Sequence, residues 1–388
     1  MLACLSVGEF LGMTLWFSAT SVTPSLAAEF QLSTSGAAWL TMAVQAGFVV
    51  GTLVSAAITL ADVINARRLF LYGCLAGAAA NALVLAAPGP VSLIALRFAT
   101  GAALACVYPP GMKLAASWFR DRRGFALGLL IGALTLGKAL PHLLTALFGG
   151  AWREPMLLAS ALAVLGGVLV VREVSDGPYL AKTAPFDPHA IRRLVGIRGA
   201  RLATLGYLGH MWELYAMWTW VAVMAAASFA AAGLDAAATA GSVAAFLAIG
   251  SGTAGCALAG WAADRVGKAR VAIWALWTSA ACAAATPLAF GAHPAWFFLL
   301  VIVWGFAVVA DSAQFSALVS EHAPSDHVGT ALTLQTCLGF LLTMVTIEAL
   351  PQLANAAGWR WAGLLLVPGP LLGIVAMRGL VEPRRATS

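Results

Sequence analysis

The chain is 388 residues long, 61% hydrophobic and 10% charged, with a net charge of +6 and a mean hydropathy of +0.89. A soluble protein has roughly a quarter of its residues charged, and one core cannot absorb apolar runs that recur from end to end. The absence of segments of about 10 residues with alternating polarity also excludes a membrane barrel, which leaves a polytopic helical membrane protein.

Apolar runs of about 18 to 25 residues predict twelve transmembrane helices. The first, near 2–24, begins almost at Met1, so a short preceding tail is expected. It has no basic flank and contains Glu9, unlike a cleaved signal peptide. Five more spans follow near 37–60, 69–87, 91–113, 124–147 and 155–172. The segment 173–201, EVSDGPYLAKTAPFDPHAIRRLVGIRGAR, is rich in charge and proline and reads as a cytoplasmic linker. Beyond it come spans near 202–227, 238–263, 271–290, 295–319, 329–350 and 358–381. The expected architecture is all-α: a six-helix bundle over 1–172, the linker over 173–201, and a second six-helix bundle over 202–388, with a central cavity. All six cysteines fall within apolar runs without paired spacing and read as small buried hydrophobes.

Basic residues set the orientation. Of the 22 Lys and Arg, Arg97 and Lys138 fall within spans and Arg153 and Arg360 on one side, leaving 18 on the other. That side, with both termini, is expected to be cytoplasmic. The basic excess needs no nucleic acid to explain it.

The halves echo each other. The loop after the second span reads ITLADVINARR and the loop after the eighth reads GWAADRVGKAR, placing Asp62 and Asp264 in register. Such repeats are expected of a transporter with its site between two bundles at mid-membrane depth. Over its whole length the sequence resembles the major facilitator superfamily. The loop at Gly260, Asp264, Arg265, Gly267, Lys268 and Arg270 is similar to that family's signature, and the first-half copy keeps Asp62 and Arg67. The resemblance implies a latch in which the aspartate pairs with basic residues on the cytoplasmic side. Val63 and Asn65 replace the expected Arg and Gly, so the first-half latch is expected to be the weaker. RFATGAALACVYPPG is similar to the family's membrane arginine with a glycine four residues on, at Arg97 and Gly101. SWFRDRRGFALG is similar to its basic turn, where positive-inside anchoring also explains Arg120, Arg122 and Arg123.

Seven ionisable groups lie well inside predicted spans: Glu9, Arg97, Lys138, His142, His210, Glu213 and Asp311. A charge at the bilayer centre costs about 2.5–3.5 kcal/mol on the insertion scale, so these groups should face the bundle interior or a water-filled path. Lys138 and His142 are four apart and share a face. His210, Glu213, Met217 and Met224 form one stripe, and Glu9, Met13, Trp16 and Thr20 form another at similar depth. Both stripes are expected to line a translocation path for solute and protons, with Glu213 exchanging a proton as the path opens to either side. Bland roles also fit. Arg97 can brace helix packing, Glu213 or Asp311 can neutralise Lys138 or Arg97, and His142 can satisfy backbone freed by Pro141. Glu348 reads as interfacial.

The expected function is secondary active transport of a small solute, an organic or inorganic anion, by a proton-coupled monomer in the lipid of the cytoplasmic membrane. Nitrate carriers in the superfamily use arginines in helices 2 and 8, and neither predicted span has one. Drug–proton efflux is an alternative. Copper import is another, because soft ligands suit Cu(I) and His210, Met217 and Met224 share a face. Outside transport, a non-transporting sensor remains. No GxSxG, HExxH or P-loop motif points to an enzyme, and no cofactor or bound metal is expected.

Overall fold

The computed structural model describes residues 1–119, 123–179 and 187–381. Arg120, Arg122, Lys182, Arg384 and Arg385, assigned above to the basic side, lie outside the described residues, as does the side chain of Arg123. Every regular element among the described residues is helical. Among the described residues eleven helices are long and apolar enough to cross a membrane, and a bent pair at the start makes twelve if it is one span.

In the first half these are α1 (Leu2–Gly12 and Thr14–Phe17, then Thr20–Val22 and Thr23–Glu29), α2 (Thr34–Ala57), α3 (Ala66–Leu83, tightening through Val84–Ala86), α4 (Pro90–Leu104 and Tyr108–Trp118), α5 (Arg123–Leu147) and α6 (Arg153–Glu173). In the second half they are α7 (Arg198–Ala231), α8 (Ala237–Val266), α9 (Lys268–Ala289), α10 (Pro294–Ala310 and Ser312–His322), α11 (Val328–Ala357) and α12 (Trp359–Ala362, Gly363–Leu366 and Pro368–Arg378). Between them Ala190–Gly196 forms a two-turn helix that buries Ala190 and Leu194 against α7 and α11 and leaves Arg192 and Arg193 exposed.

Spans 1, 4 and 10 read as continuous in the sequence but are broken in the structure, each for a local reason. In α1 the hydroxyls of Thr14, Ser18, Ser21 and Thr23 all fold back onto carbonyls three residues earlier. Such local bonds compete with the helical ladder, and the two parts of α1 meet at 42°. In α4, Pro109 and Pro110 supply no N–H to the preceding turn, so the helix interrupts at Ala105–Val107. α10 interrupts at Asp311, whose carboxylate is used by the site described below.

Small residues let helices within each half approach closely. A Cβ on Gly101 would sit 1.9 Å from the Val44 carbonyl oxygen, and one on Gly47 would sit 2.0 Å from that of Phe98. The α2 and α4 backbones therefore touch where side chains would hold them apart. The halves meet along α5 against α8 and α2 against α11. Thr253 Oγ1 donates to the Gly132 carbonyl (2.9 Å) on the first seam. The second is tied at the end of the bundle away from the chain termini. There Ser35 donates to Glu348 Oε1, Gln352 Nε2 donates to both (3.2 Å each), and Asn355 Nδ2 donates to Thr34 Oγ1 (2.9 Å). Glu348 thus holds the seam rather than an interfacial anchor point. All six cysteines are free thiols.

Candidate functional site

Lys138 is carried by α5 to the junction of the halves and is only 3% exposed. Its Nζ donates to the Tyr215 hydroxyl at 2.6 Å. It also lies 4.2 Å from the Trp16 ring centroid, 5.0 Å from Tyr215 and 5.7 Å from Trp218. Trp16 comes from α1, whereas Tyr215 and Trp218 come from α7. Phe48 of α2 packs on Trp16 at 5.0 Å, and Phe340 of α11 packs on Tyr215 at 5.0 Å. A first-half ammonium is thus held over aromatic faces from both halves, where the ring quadrupole attracts a desolvated cation by about 2 kcal/mol or more. Among the described residues no carboxylate forms an ion pair with it.

Several buried polar groups have no partner among the described residues. Glu9 of α1 is fully buried, neither of its oxygens has a partner, and its charge interacts with that of Lys138. Its carboxylate fills the space left by Gly111 in α4, where a Cβ would lie 2.4 Å from Glu9 Oε2. His142, one turn along α5, is buried with both nitrogens unpartnered beside the Phe17 ring at 6.2 Å. Trp16 Nε1, Trp218 Nε1, Gln45 Nε2 and Gln335 Nε2 are buried donors without acceptors.

Arg97 has a different role. Its five N–H groups make five hydrogen bonds: Nε to the Leu40 carbonyl (3.4 Å), Nη1 to Ser18 Oγ (3.1 Å) and Asn81 Oδ1 (2.7 Å), and Nη2 to the Leu15 (3.1 Å) and Trp16 (2.9 Å) carbonyls. Leu15 and Trp16 lie at the α1 break, so the guanidinium satisfies carbonyls that the bend removes from the helical ladder. With every donor used, Arg97 braces the α1 break in this structure.

The second-half charges gather within their own bundle. His210 Nδ1 lies 2.8 Å from Asp311 Oδ1, both groups 1% exposed. Glu213 Oε1 accepts from Trp304 Nε1 of α10 (2.5 Å) and from Ser279 of α9, while Oε2 is unpartnered. The stripe of His210, Glu213 and buried Met217 therefore turns toward α9 and α10. Tyr215 and Trp218, on another face of α7, meet Lys138 and Phe17 of the first half, while Tyr207 and Met211 pack at Gly339 of α11. Of the α1 stripe, Trp16 meets α7 at Tyr215 (5.8 Å) rather than at His210 or Glu213. Hydroxyl and indole donors inside one bundle satisfy a carboxylate as well as a water-filled path does.

The two loop motifs differ in use. Asp62 pairs with Lys113, which also donates to the Ala61 carbonyl (2.9 Å). Arg67 pairs with Asp176 (3.3 Å). Asn65 donates to Asp176 Oδ2 (2.7 Å) and caps α3 by accepting from Arg67 N (3.1 Å), so the departure from the signature is put to use. In the second loop Gly267 turns the chain at φ +94° and nothing packs where a Gly260 side chain would lie. Arg265 stacks on Trp261 at 3.9 Å, Lys268 pairs with Glu321 (2.6 Å), and Arg270 donates to the Val266 carbonyl (3.2 Å). Asp264 is exposed, and among the described residues it makes no ion pair. The fuller match to the signature is the one whose aspartate is unpaired here, and the poorer match is paired. If the Asp62 pair and an Asp264 pair belong to different conformations, Asp62→Asn and Asp264→Asn should each cut flux several-fold in proteoliposomes. Undiminished flux in either variant would show that loop to be only an anchor.

Sequence reasoning missed Tyr215, Asn81, Ser279 and Trp304. The recurrence of Tyr207, Met211, Tyr215 and Trp218 at spacings of four, four and three was a visible signal of a second functional face on α7. Nothing in the sequence marked Ser279 or Trp304 as partners of Glu213.

Residues 5–342 match the Major Facilitator Superfamily, and the chain belongs to that superfamily. Its helices are those of a multi-pass membrane protein. A stretch of 160 residues is 29% identical to the probable actinorhodin transporter of Streptomyces coelicolor, covering 39% of this chain and 27% of that protein. The match thus spans about a quarter of the relative's length. In structure the chain is similar to the nucleoside transporter NupG (D323A mutant), with a TM-score of 0.72 over 98% of this chain and 100% of that one. At 14% identity this likeness shows the fold.

Proposed function

We propose that this transporter moves a small anionic solute across the cytoplasmic membrane by alternating access, coupled to protons. The observation that supports it best is Lys138, a buried cation without an ion-pair partner among the described residues, held where the two halves meet. A cation fixed at mid-membrane by rings from both bundles is a ready counter-charge for a solute that enters from one side and leaves from the other. The basic loops and both termini face the cytoplasm in this reading, so the α2–α11 clasp closes the outer side. The chain acts as a monomer, its halves bounded at 173–201, with the Asp62 and Asp264 loops exchanging partners on the cytoplasmic side.

Proton coupling is assigned to Glu213, supported by Asp311 and His210, because Glu213 Oε2 and His210 Nε2 are buried without a partner among the described residues and Asp311 pairs with the same His210. Glu213→Gln keeps size and the Ser279 and Trp304 contacts but fixes a neutral group. The variant is expected to exchange labelled solute as fast as the parent and to fail to accumulate it when a pH difference is imposed. Accumulation equal to the parent's would pass the role to Glu9. Drug–proton efflux is the second reading, favoured by the aromatic walls. It predicts flux of cationic or neutral compounds that survives Lys138→Met.

A further inference from the structure

The rings about Lys138 have a defined arrangement. Phe17 of α1 and Tyr215 of α7 are nearly parallel, at an interplanar angle of 20° and a centroid separation of 6.2 Å. Trp218 stands across both, at 75° to Phe17 (6.1 Å) and 66° to Tyr215 (5.5 Å). Two facing walls and a perpendicular floor make a slot, with one wall from each half of the protein. A flat ring stacked between two others needs about 7 Å between the outer planes, two contacts of about 3.5 Å each. The two walls belong to different halves, and rocking of the halves is the motion that opens such a span between them.

The polar edge of the slot selects charge. The Tyr215 hydroxyl at one wall is the partner of the Lys138 ammonium, which keeps two further N–H donors. The indole N–H groups of Trp16 and Trp218, whose rings lie beneath that ammonium, are both buried and have no acceptor. An indole N–H only donates. One ammonium and two spare indole donors beside a slot for a flat ring call for a ligand that joins a planar ring to a group rich in acceptors and negative in charge. We propose that the transported solute is a planar aromatic carboxylate, its ring between Phe17 and Tyr215 and its carboxylate on Lys138. This rests on the anion reading above and narrows it to one chemical class.

Calorimetry on the purified full-length protein tests the two parts separately, with benzoate, cyclohexanecarboxylate (same charge, no flat ring) and benzamide (same ring, no charge) as probes. Benzoate is expected to bind at least about tenfold tighter than either, the scale of one well-placed stack or one charged contact. Phe17→Leu should bring benzoate down to the level of cyclohexanecarboxylate, and Lys138→Met should bring it down to benzamide. Equal binding of the two carboxylates, lost together in Lys138→Met, would overturn the ring assignment and leave the anion reading standing. Equal binding of benzoate and benzamide, indifferent to Lys138→Met, would overturn both. No binding of benzoate at millimolar concentration would also overturn the proposal, and the ranking of the three probes on the unaltered protein decides the matter even if Phe17→Leu fails to fold.

Discussion

Lys138→Met is expected to abolish measurable solute uptake while the protein remains folded. A buried hydrogen bond to a charged group contributes about 1.5–3 kcal/mol, so losing the ammonium should weaken solute binding by about 10- to 150-fold. The same change removes a desolvated cation that has no ion-pair partner among the described residues, and methionine fills a similar volume among rings with a polarizable thioether. The melting temperature of the purified protein should therefore hold or rise as flux collapses. If Lys138→Met instead unfolds the protein and Glu9→Gln on top of it restores stability, the lysine is one half of a structural charge pair. Glu9 rather than Glu213 is the group to combine, because the Lys138 charge interacts with Glu9 while Glu213 is held by Ser279 and Trp304.

Arg97→Met should have the opposite signature. Removing the guanidinium strands the Leu15, Trp16 and Leu40 carbonyls and Asn81 Oδ1 inside the first bundle. Breaking a buried charged network by deleting one member costs about 3–5 kcal/mol, equivalent to a melting temperature lower by roughly 6–20 °C. Arg97→Lys should not rescue it, because one ammonium with three donors on a single atom cannot reach five separated acceptors. Whatever fraction folds should bind solute normally. A variant that melts like the parent but has lost binding would show Arg97 to be a solute contact.

The fold was largely legible because spans in lipid are set by length and hydropathy. All twelve begin within about four residues of their expected starts. What composition cannot show is interruption. Nothing near Asp311 breaks a helix by propensity, and the α1 break depends on four hydroxyls each choosing a carbonyl three residues back. The site was half legible. The cost of charge in lipid picked out every ionisable member correctly as buried. It could not show which bundle would satisfy each one, because a helix has more than one buried face. On α7 the His210–Glu213 stripe faces inward to its own half, and the Tyr215–Trp218 face, marked only by aromatic spacing, meets Lys138. Asn81 drew no attention as a lone amide in an apolar run, yet it ties Arg97, Ser18 and Ser160 together.

Alternating access requires the α2–α11 seam to open once per transport cycle, and the contacts of Ser35 with Glu348 and Gln352 place both helices within reach of one short linker. The measurement is labelled-solute flux through proteoliposomes of Ser35→Cys/Glu348→Cys, before and after joining the two thiols with a short bifunctional thiosulfonate, and again after reduction. Flux should stop on cross-linking and return on reduction, with the identically treated parent unaffected. Flux that continues undiminished with the seam joined would contradict the account.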